Sequence, residues 1–579
     1  MIAKRGPGPY VRAMSSAKAF LAPAERAEFL AFLRRHAPTW AYGQEEPRTQ
    51  AGFAGLFARL ASSAPLFGAM RRAVALWAFL SRPLDTQAAA LAREAETAAP
   101  FLSPAQLGLL SACERAFSGH VPDELRVVLH DPEPDLLVRL LVPLVAAKRG
   151  HAPACLAASW PTLLRLGSPE LARDLVRACD FGPGADALRP RLMAEISFHY
   201  DPPETALAAL SDLGGEWGPW AAQRRAECLA ALGETAKAAR LYAELWRDNP
   251  WHVNLALRLH TLRAPKPALP DPARDEAAVC LYSWNKCDLL RATLKSLAAS
   301  RLGAARVLVL DNGSTDGTAE MLREMAPRFA EGCFGHVSLL VNVGAPAARN
   351  WLLTLPEAAN ARWAAFVDDD VILPPDWLAR LLATARNAQA RGFRPGAVGC
   401  RITEATAPFG LQSADYHLFL PPPREKGQEP LAERIGVFDN CAGQLDAGLF
   451  SYVRPCLSVS GCCHLISREA REASGGFDVR FTPTQFDDLE RDMRSTLAGF
   501  PSLYDGGLAV RHVQHASLAR AKTPAQVAHI AGNKVKLEGK YADDEVARLA
   551  KLDLEACWTH LEAVLADLDE GQTSGGGAA

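Results

Sequence analysis

The sequence predicts an α/β domain with a mostly parallel sheet in the second half of the chain, and an all-α region before it. From residue 276 onward, short apolar stretches of strand length alternate with amphipathic stretches of helix length. This alternation is typical of a parallel sheet with helices on both faces. Before residue 265, stretches rich in Ala, Leu and Arg follow the helical period and are interrupted at Gly and Pro.

Length and composition exclude several classes of protein. The 579 residues are enough for about three or four domains. The 63 basic and 65 acidic residues nearly cancel, so we expect no nucleic-acid partner. The longest strongly apolar segment, residues 136–147, is shorter than the roughly 20 residues that a membrane span needs. Thirteen scattered cysteines without a CxxC pair favour a reducing, cytoplasmic location.

The all-α part divides into a helical N-terminal region, residues 1–150, and a region of helix pairs, residues 151–265. The spacing within these pairs resembles the second half of a tetratricopeptide repeat. The clearest copy has Gly233, Ala238, Tyr242, Leu245 and Pro250, a second has Gly167, Ala172, Val176, Cys179 and Pro183, and a weaker one has Ala206, Leu210, Leu213 and Trp217. Such a solenoid would present a concave surface to a protein. The alternative is a helical bundle that only packs against the next domain.

A proline-rich linker, residues 266–275, precedes the α/β domain, residues 276–520. We then expect C-terminal helices over residues 521–570 and a flexible tail over residues 571–579. The predicted elements of the first part of the sheet domain are, in order, strand Ala277–Tyr282, helix Cys287–Ser300, strand Arg306–Leu310, helix Thr318–Phe329, strand Val337–Val341, helix Ala345–Thr354 and strand Trp363–Val367.

Three consecutive carboxylates, Asp368, Asp369 and Asp370, directly follow the last of these strands. Adjacent carboxylates repel one another, so a fold keeps them together chiefly where a hard cation or hydrogen-bond donors compensate the charge. The alternative is a solvated acidic turn before the next helix. In a parallel sheet, ligands bind at the carboxyl ends of the strands, where this triplet lies.

The two preceding strands are also followed by polar residues. Asp311 ends the second strand, and we expect Ser314, Thr315 and Asp316 to cap the next helix. After the third strand, Asn342 opens a loop that leads to Arg349 in the first turns of a helix. Arg349 is either a solvated helix residue or a partner for phosphate or for the acidic residues.

Taken in order, these segments resemble the nucleotide-sugar motifs of the family 2 glycosyltransferases, which have a GT-A fold with a Rossmann-like nucleotide-sugar-binding sheet. The matching segments are Cys280–Lys286, Val309–Thr318, Asn342–Asn350 and Phe366–Asp370. The resemblance implies that Asp311 contacts the nucleotide base and that Asp368 and Asp370 form the DxD pair around a divalent metal. The same implied donor site includes Tyr282, Ser283, Asn285, Asn342, Arg349 and Asp369.

The resemblance continues through Ser458–Arg468, Gly475–Asp478 and Phe486–Arg494, and it covers residues 277 to 517. The last segment is similar to the family's signature for the catalytic base. This implies that Asp488 is the catalytic base, and Asp487 is the second choice for that role. The two side chains would point about 100° apart on a helix, so that only one faces the bound sugar. The alternative is that the acids from Asp487 to Asp492 are a solvated helix face.

The resemblance further implies a histidine as a third metal ligand. His512 and His515 both follow the final predicted strand, and His512 fits the strand position better. The implied cofactor is Mn²⁺ or Mg²⁺, and the expected donor is a UDP-sugar. A neutral imidazole nitrogen is a suitable ligand for manganese.

The sequence thus predicts an inverting, metal-dependent glycosyltransferase that transfers a sugar to an acceptor hydroxyl. The helical repeats favour a protein acceptor or an assembly partner. The alternatives are a polysaccharide or lipid-linked glycan acceptor, or a non-catalytic scaffold with a decayed transferase domain. The presence of Asp311, Asp368, Asp370 and Asp488 argues against decay.

Overall fold

The computed structural model describes residues 21–146, 151–419, 434–441, 444–513 and 523–574. Contacts divide the chain into two compact units. The first contains the chain up to Arg263 together with Ala447–Leu449 and the stretch from Asp567 onward. The second contains Ala264–Asp446 and Phe450–Ala566. None of the helices in the described parts is both long and apolar enough to span a membrane.

The described residues before Ala264 contain fourteen α-helices and no strand, which confirms the predicted all-α region. Proline occupies the first helical position in several of them, where its missing N–H costs no hydrogen bond. The helices are α1 Pro23–His36, α2 Pro47–Leu60, α3 Pro65–Ser81, α4 Thr86–Ala98, α5 Pro104–Phe117, α6 Asp123–His130, α7 Pro134–Ala146, α8 Ala152–Leu163, α9 Pro169–Ala178, α10 Leu188–Tyr200, α11 Pro203–Ser211, α12 Gly218–Ala231, α13 Thr235–Asp248 and α14 Val253–Arg263.

The clearest predicted repeat forms a packed helix pair, α12 and α13. Gly233 lies between the two helices with φ = 80°, a left-handed conformation that glycine adopts without steric cost. Ala238 and Tyr242 of α13 are fully buried. The helix-pair layout is therefore present here, and its identity as a tetratricopeptide repeat stays a prediction.

The second unit is built on a mixed sheet. Its strands are β1 Ala277–Ser283, β2 Arg306–Asp311, β3 Phe334–Ser338, β4 Trp363–Val367, β5 Val371–Ile372, β6 Ala397–Glu404, β7 Leu411–Ser413, β10 Val453–Cys456, β11 Cys463–Ser467 and β12 Ser502–His512. The main order is β10-β12-β6-β11-β4-β1-β2-β3, with β5 beside β12 and β7 beside β6. Strands β8 Tyr416–Phe419 and β9 Gly436–Asp439 form a separate antiparallel pair.

The helices of this unit follow the predicted alternation through its first half. They are α15 Cys287–Ala298, α16 Thr318–Met325, α17 Ala345–Thr354, α18 Pro356–Asn360, α19 Trp377–Ala390, α20 Arg468–Ser474, α21 Asp487–Leu497, α22 Pro524–Lys540 and α23 Asp543–Ser574. The last helix extends into the stretch that the sequence predicts as a tail.

Only part of the sheet is parallel. Strands β4, β1, β2 and β3 run parallel, as predicted, and β12 runs parallel to β6. Strand β11 lies between β4 and β6 and is antiparallel to both, so it runs opposite to the strands on either side of it. The α/β fold class is confirmed, but the sheet is mixed rather than mostly parallel.

The parallel strands are buried on both faces, which explains their continuous apolar sequences. Alternate residues of β1 pack into two different cores. Val279 and Leu281 pack on one face with α15 and α19, and Ala278 and Cys280 pack on the other with α17. At the carboxyl edge, Ser283 pairs in register with Asp311. The polar ends of β1, β2 and β4 therefore meet at one edge of the sheet.

The predicted third strand, Val337–Val341, is wrong in position. Strand β3 begins at Phe334 and ends at Ser338, because Ser338 already pairs with Asp311 at the end of β2. Beyond that point Leu340 and Val341 lie in a loop and are exposed. An apolar run alone does not show where the neighbouring strand ends.

The fold predicts that a single methyl group on β6 is destabilising. A Cβ added at Gly399 would lie 2.4 Å from Cβ of Val459. We expect Gly399→Ala to reduce the free energy of unfolding by about 1–3 kcal/mol. Gly539→Ala is the matched control, because no atom lies within 4 Å of its added Cβ. Urea unfolding of both variants checks this, and equal stabilities would contradict the packing.

Candidate active site

An acid triplet, Asp368–Asp370, lies at the carboxyl end of β4, and its second and third members share a lysine. Asp369 Oδ1 and Asp370 Oδ2 are each 3.1 Å from Nζ of Lys286, which comes from the loop after β1. The Ser283 hydroxyl donates a second hydrogen bond to Asp369 Oδ2 at 2.7 Å. Both carboxylates are buried, so the solvated acidic turn is excluded.

The first and third acids also contact residues from distant segments. Asp370 Oδ1 is 2.9 Å from Nε2 of His512, the last residue of β12. Asp368 Oδ1 is 3.6 Å from Nη2 of Arg349 on α17, and the Asp368 side chain is 25% exposed. The repulsion within the triplet is thus offset by three cationic partners from three parts of the chain.

The pKa values of the triplet differ because these surroundings differ. Burial raises the pKa of Asp369 to about 6, although Lys286 acts in the opposite direction. Burial also acts to raise the pKa of Asp370, but the hydrogen bond and charge of His512 together with Lys286 lower it overall. Asp370 is therefore the member most strongly held as a carboxylate.

His512 is oriented from its far side by Gln412 of β7. The Gln412 side-chain oxygen lies 2.6 Å from Nδ1 of His512 and accepts a hydrogen bond from it. This bond leaves Nε2 facing Asp370. Donor atoms of Asp368, Cys462 and His512 lie within 4.8 Å of one another. The oxygen and nitrogen donors of Asp368, Asp370 and His512 fit Mn²⁺ or Mg²⁺, and the Cys462 sulfur is a softer donor. His515 lies outside the described residues.

Arg349 connects the acid triplet to helix α21. Its Nη1 is 2.7 Å from Asp487 Oδ2, and both side chains are almost fully buried. The guanidinium also lies over the ring of Tyr282, 5.4 Å from its centroid. Arg349 is therefore not a solvated helix residue but the link between the two halves of the site.

The two acids predicted at the start of α21 have different surroundings. Asp487 is buried against Arg349, and burial together with the charge of Asp488 raises the pKa of Asp487 to about 6, although Arg349 lowers it. Asp488 is partly exposed, and its Oδ2 accepts a hydrogen bond from the backbone N–H of Gly461 at 2.9 Å. Of the two carboxylates, Asp488 is the more exposed.

The remaining acids of α21 are not a solvated face, so that alternative is wrong. Glu490 is fully buried and pairs with Arg494 at 2.7 Å. Asp492 is also buried, and the Ser458 hydroxyl donates to it at 2.7 Å. These two acids hold the helix in place, which leaves Asp488 as its accessible acid next to the site.

The predicted nucleotide-binding residues lie in loops at the same edge of the sheet. Asp311 is buried, and its Oδ1 accepts a hydrogen bond from Ser314 N at 2.9 Å. Asn285 adopts a left-handed conformation with φ = 52°, and its side-chain oxygen accepts from Thr315 N at 2.8 Å. Asn342 lies further along this edge, where its side-chain oxygen accepts from the amide of a neighbouring asparagine at 2.9 Å.

The capping prediction holds for only one of three residues. Asp316 Oδ1 accepts a hydrogen bond at 3.3 Å from the backbone N–H of Thr318, the first residue of α16, and its Oδ2 accepts one from Cys287 N at the start of α15. Ser314 instead accepts from Asn285 N, and Thr315 donates to the side chain of Asn285. These two residues tie the loops after β1 and β2 together and do not cap the helix.

Three residues beside the predicted site were not predicted from the sequence: Lys286, Gln412 and Cys462. Lys286 is adjacent to Asn285 in the first motif, so its position could have been noticed. Gln412 lies in a segment without a motif, and only the pairing of β7 with β6 brings it to His512.

Comparison with known proteins assigns part of this chain to a family. Residues 278–444 match the model of Glycosyl transferase family 2. The chain therefore carries a glycosyl transferase family 2 domain, preceded by a long all-helical region. This confirms the predicted family, the GT-A fold class and the enzyme class of the domain.

Two curated relatives have names that concern polysaccharides. The chain is 25% identical over 302 residues to the O-antigen biosynthesis protein RfbC of Myxococcus xanthus, covering 50% of this chain and 20% of that protein. It is 31% identical over 149 residues to the succinoglycan biosynthesis protein ExoM of Rhizobium meliloti, covering 25% of this chain and 45% of that protein. The chain thus spans less than half the length of either relative.

Similar solved structures include a mannosyltransferase from Pyrobaculum calidifontis in complex with GDP-Man and Mn²⁺. That similarity has a TM-score of 0.35 at 17% identity and covers 62% of this chain and 88% of that one. Another is GalNAc-T7 with UDP, GalNAc and Mn²⁺, at a TM-score of 0.34 and 13% identity, covering 47% of this chain and 48% of that one.

The raised pKa of Asp487 predicts a pH dependence of stability. Its unfolded pKa is about 3.9, so between about pH 4 and 6 the folded state binds a proton that the unfolded state has lost. The stability from this proton is present below pH 4 and is lost as the pH rises through 6. In metal-free buffer, we expect the stability of Asp487→Asn relative to the parent to increase from pH 4.5 to 7.

Urea unfolding of the parent and Asp487→Asn at several pH values measures this difference. Asp544→Asn, a change at an exposed acid on α23, is the control and should show no comparable trend. A constant difference between Asp487→Asn and the parent would contradict the burial of an ionisable Asp487.

Proposed function

We propose that this domain transfers a sugar from a nucleotide-diphosphate donor to an acceptor hydroxyl, with inversion at the anomeric carbon. One observation carries the proposal: Arg349 joins the acid triplet to α21, which brings the partly exposed carboxylate of Asp488 next to the donor site. The family 2 match supports the class of reaction.

The donor would bind at the carboxyl edge of the sheet. Asp368, Asp370 and His512 would hold a divalent cation, which when bound neutralises charge on the departing diphosphate. Tyr282, Ser283, Asn285, Asp311 and Asn342 lie along the same edge and would border the nucleotide. The choice of a UDP-sugar rests on the sequence resemblance alone.

Lys286 and Arg349 are cationic residues that would lie beside the diphosphate of a bound donor. Lys286 bridges Asp369 and Asp370 and keeps these two carboxylates together despite their mutual repulsion. Arg349 is paired through Nη1 with Asp487, and its Nη2 is directed toward Asp368. Both side chains would therefore orient donor-site carboxylates before the donor binds.

Asp488 would act as the general base. Its carboxylate would accept the proton of the acceptor hydroxyl while that oxygen attacks the anomeric carbon on the side opposite the leaving diphosphate. Asp487 is less suited, because it is buried and already bonded to Arg349. The hydrogen bond from Gly461 N holds the Asp488 carboxylate in place.

For the acceptor, we favour a saccharide of a polysaccharide or lipid-linked glycan over a protein. The names of both curated relatives, which match at 25% and 31% identity, concern O-antigen and succinoglycan biosynthesis. The protein acceptor has support only from the helix pairs of the first unit. Transfer of the sugar to a glycolipid fraction would support the saccharide acceptor, and transfer to polypeptide would support the protein acceptor.

Donor-site and base variants test the reaction. We expect Asp370→Ala to abolish turnover of nucleotide sugars with Mn²⁺ and to weaken nucleotide binding. Asp488→Asn should keep nucleotide binding and lose transfer by roughly 10²–10⁴-fold, because only the proton acceptor is removed. Asp544→Asn serves as the control, with unchanged activity.

The readouts are calorimetric nucleotide titration and radiolabel transfer from a panel of nucleotide sugars to a glycolipid extract. Full transfer by Asp488→Asn would exclude Asp488 as the base. Failure of the parent to bind any nucleotide in Mn²⁺ would favour a non-catalytic scaffold over an enzyme.

The close approach of Gly461 to Asp488 gives a second prediction. A Cβ at residue 461 would lie 2.6 Å from Asp488 Oδ2 and 3.1 Å from Arg349 Nη2. Gly461→Ala should therefore displace the Asp488 carboxylate and reduce kcat by at least about tenfold while nucleotide affinity changes little. Single-turnover kinetics measure this, and an unchanged kcat would contradict the position of Asp488.

A further inference from the structure

A second cluster of ionisable side chains lies outside the donor site, in the core beneath the C-terminal helix. His417 comes from β8, and Asp553 and Cys557 come from α23, where their i, i+4 spacing puts them on one face of the helix. Each of the three is at most 3% exposed. A buried group of imidazole, carboxylate and thiol requires a partner that compensates the polar atoms.

Donor atoms of the three residues lie within 4.8 Å of one another. His417 Nδ1 is 3.1 and 3.2 Å from the two oxygens of Asp553 and 3.7 Å from Sγ of Cys557. Zinc binds nitrogen and oxygen at about 2.0–2.2 Å and sulfur at about 2.3 Å in a tetrahedron, which places neighbouring ligand atoms about 3.3–3.6 Å apart. The observed separations lie close to this range.

The other ring nitrogen of His417 has the surroundings of a metal-binding histidine. Nε2 is 2.7 Å from Asp415 Oδ2, and Asp415 in turn accepts hydrogen bonds from Arg454 Nε at 2.9 Å and from the Tyr452 hydroxyl at 3.1 Å. A carboxylate that accepts the Nε2 hydrogen leaves the Nδ1 lone pair for a metal ion. That lone pair then faces Asp553 and Cys557.

Either a proton or a metal ion can lie between Nδ1 and Asp553. A proton would satisfy these two groups and leave the Cys557 thiol donating to the carbonyl oxygen of Pro455 at 3.6 Å, whereas a metal ion would engage all three side chains. It would also place an imidazolium beside Arg454, whose Nη2 is 2.9 Å from His417 Nε2. A dication with an ionised Cys557 and Asp553 is electrically balanced, and Asp415 balances Arg454.

We propose that His417, Asp553 and Cys557 bind a structural zinc ion that fastens helix α23 to the β8–β9 pair. Mixed nitrogen, oxygen and sulfur donors favour zinc over the harder Mn²⁺ or Mg²⁺. The carbonyl oxygen of Pro455 in β10, which lies 3.6 Å from Cys557 Sγ, would be the fourth ligand. The ion would connect the C-terminal helix to two strand segments of the second unit.

The test is the zinc content of the full-length protein after exhaustive dialysis, measured by mass spectrometry. We expect one zinc per chain in the parent and in Asp370→Ala, which lacks a ligand of the donor site. Cys557→Ser should lose the zinc. Cys456→Ser is the matched control, because this buried thiol instead donates to the carbonyl of Ser458 at 3.2 Å.

A second measurement applies if Cys557→Ser does not fold. Cobalt exchanged into the parent should give a thiolate-to-metal charge-transfer absorption, and a strong chelator should lower the thermal midpoint by roughly 5 °C or more. Zinc lost in Asp370→Ala would assign the ion to the donor site and overturn the proposal. A parent without stoichiometric zinc and insensitive to chelator would overturn it too, in favour of a protonated ion-pair cluster.

Discussion

The repulsion among three adjacent carboxylates at the end of β4 is the constraint on which the rest of the second unit depends. Each member of the acid triplet has a different set of cationic neighbours, and these come from the loop after β1, from α17 and from the end of β12. The sheet must bring these segments together at one edge before the triplet can be buried. Parallel strands β1, β2 and β4 do so because their carboxyl ends coincide.

The same arrangement separates the roles of the two acids at the start of α21. Asp487 shares Arg349 with Asp368 and is buried against that guanidinium. Asp488, one residue later, points elsewhere on the helix and is held by a backbone N–H rather than by a cation. Asp488 is also partly exposed, whereas Asp487 is buried and paired with Arg349, which supports Asp488 as the proposed base.

Periodicity and motif order predicted the two-part organisation, the first strands and helices, and the acids of the site. Helix α17 and strand β4 agree with their predicted bounds because both are bordered by Gly, Pro or charged residues. The antiparallel pairings of the sheet were not predicted, because most of them join segments distant in sequence. Gln412 and Cys462 reach the site through such pairings, whereas Lys286 could have been predicted from its place beside Asn285.

The most direct test of this account is a crystal structure of the protein with Mn²⁺ and a nucleoside diphosphate, with the ion located by anomalous scattering. The account predicts a single manganese within about 2.3 Å of His512 Nε2 and a carboxylate oxygen of Asp370, with Lys286 displaced toward the diphosphate. Manganese bound elsewhere, with Asp370 still paired to Lys286 and His512, would contradict the assignment of the acid triplet as the donor site.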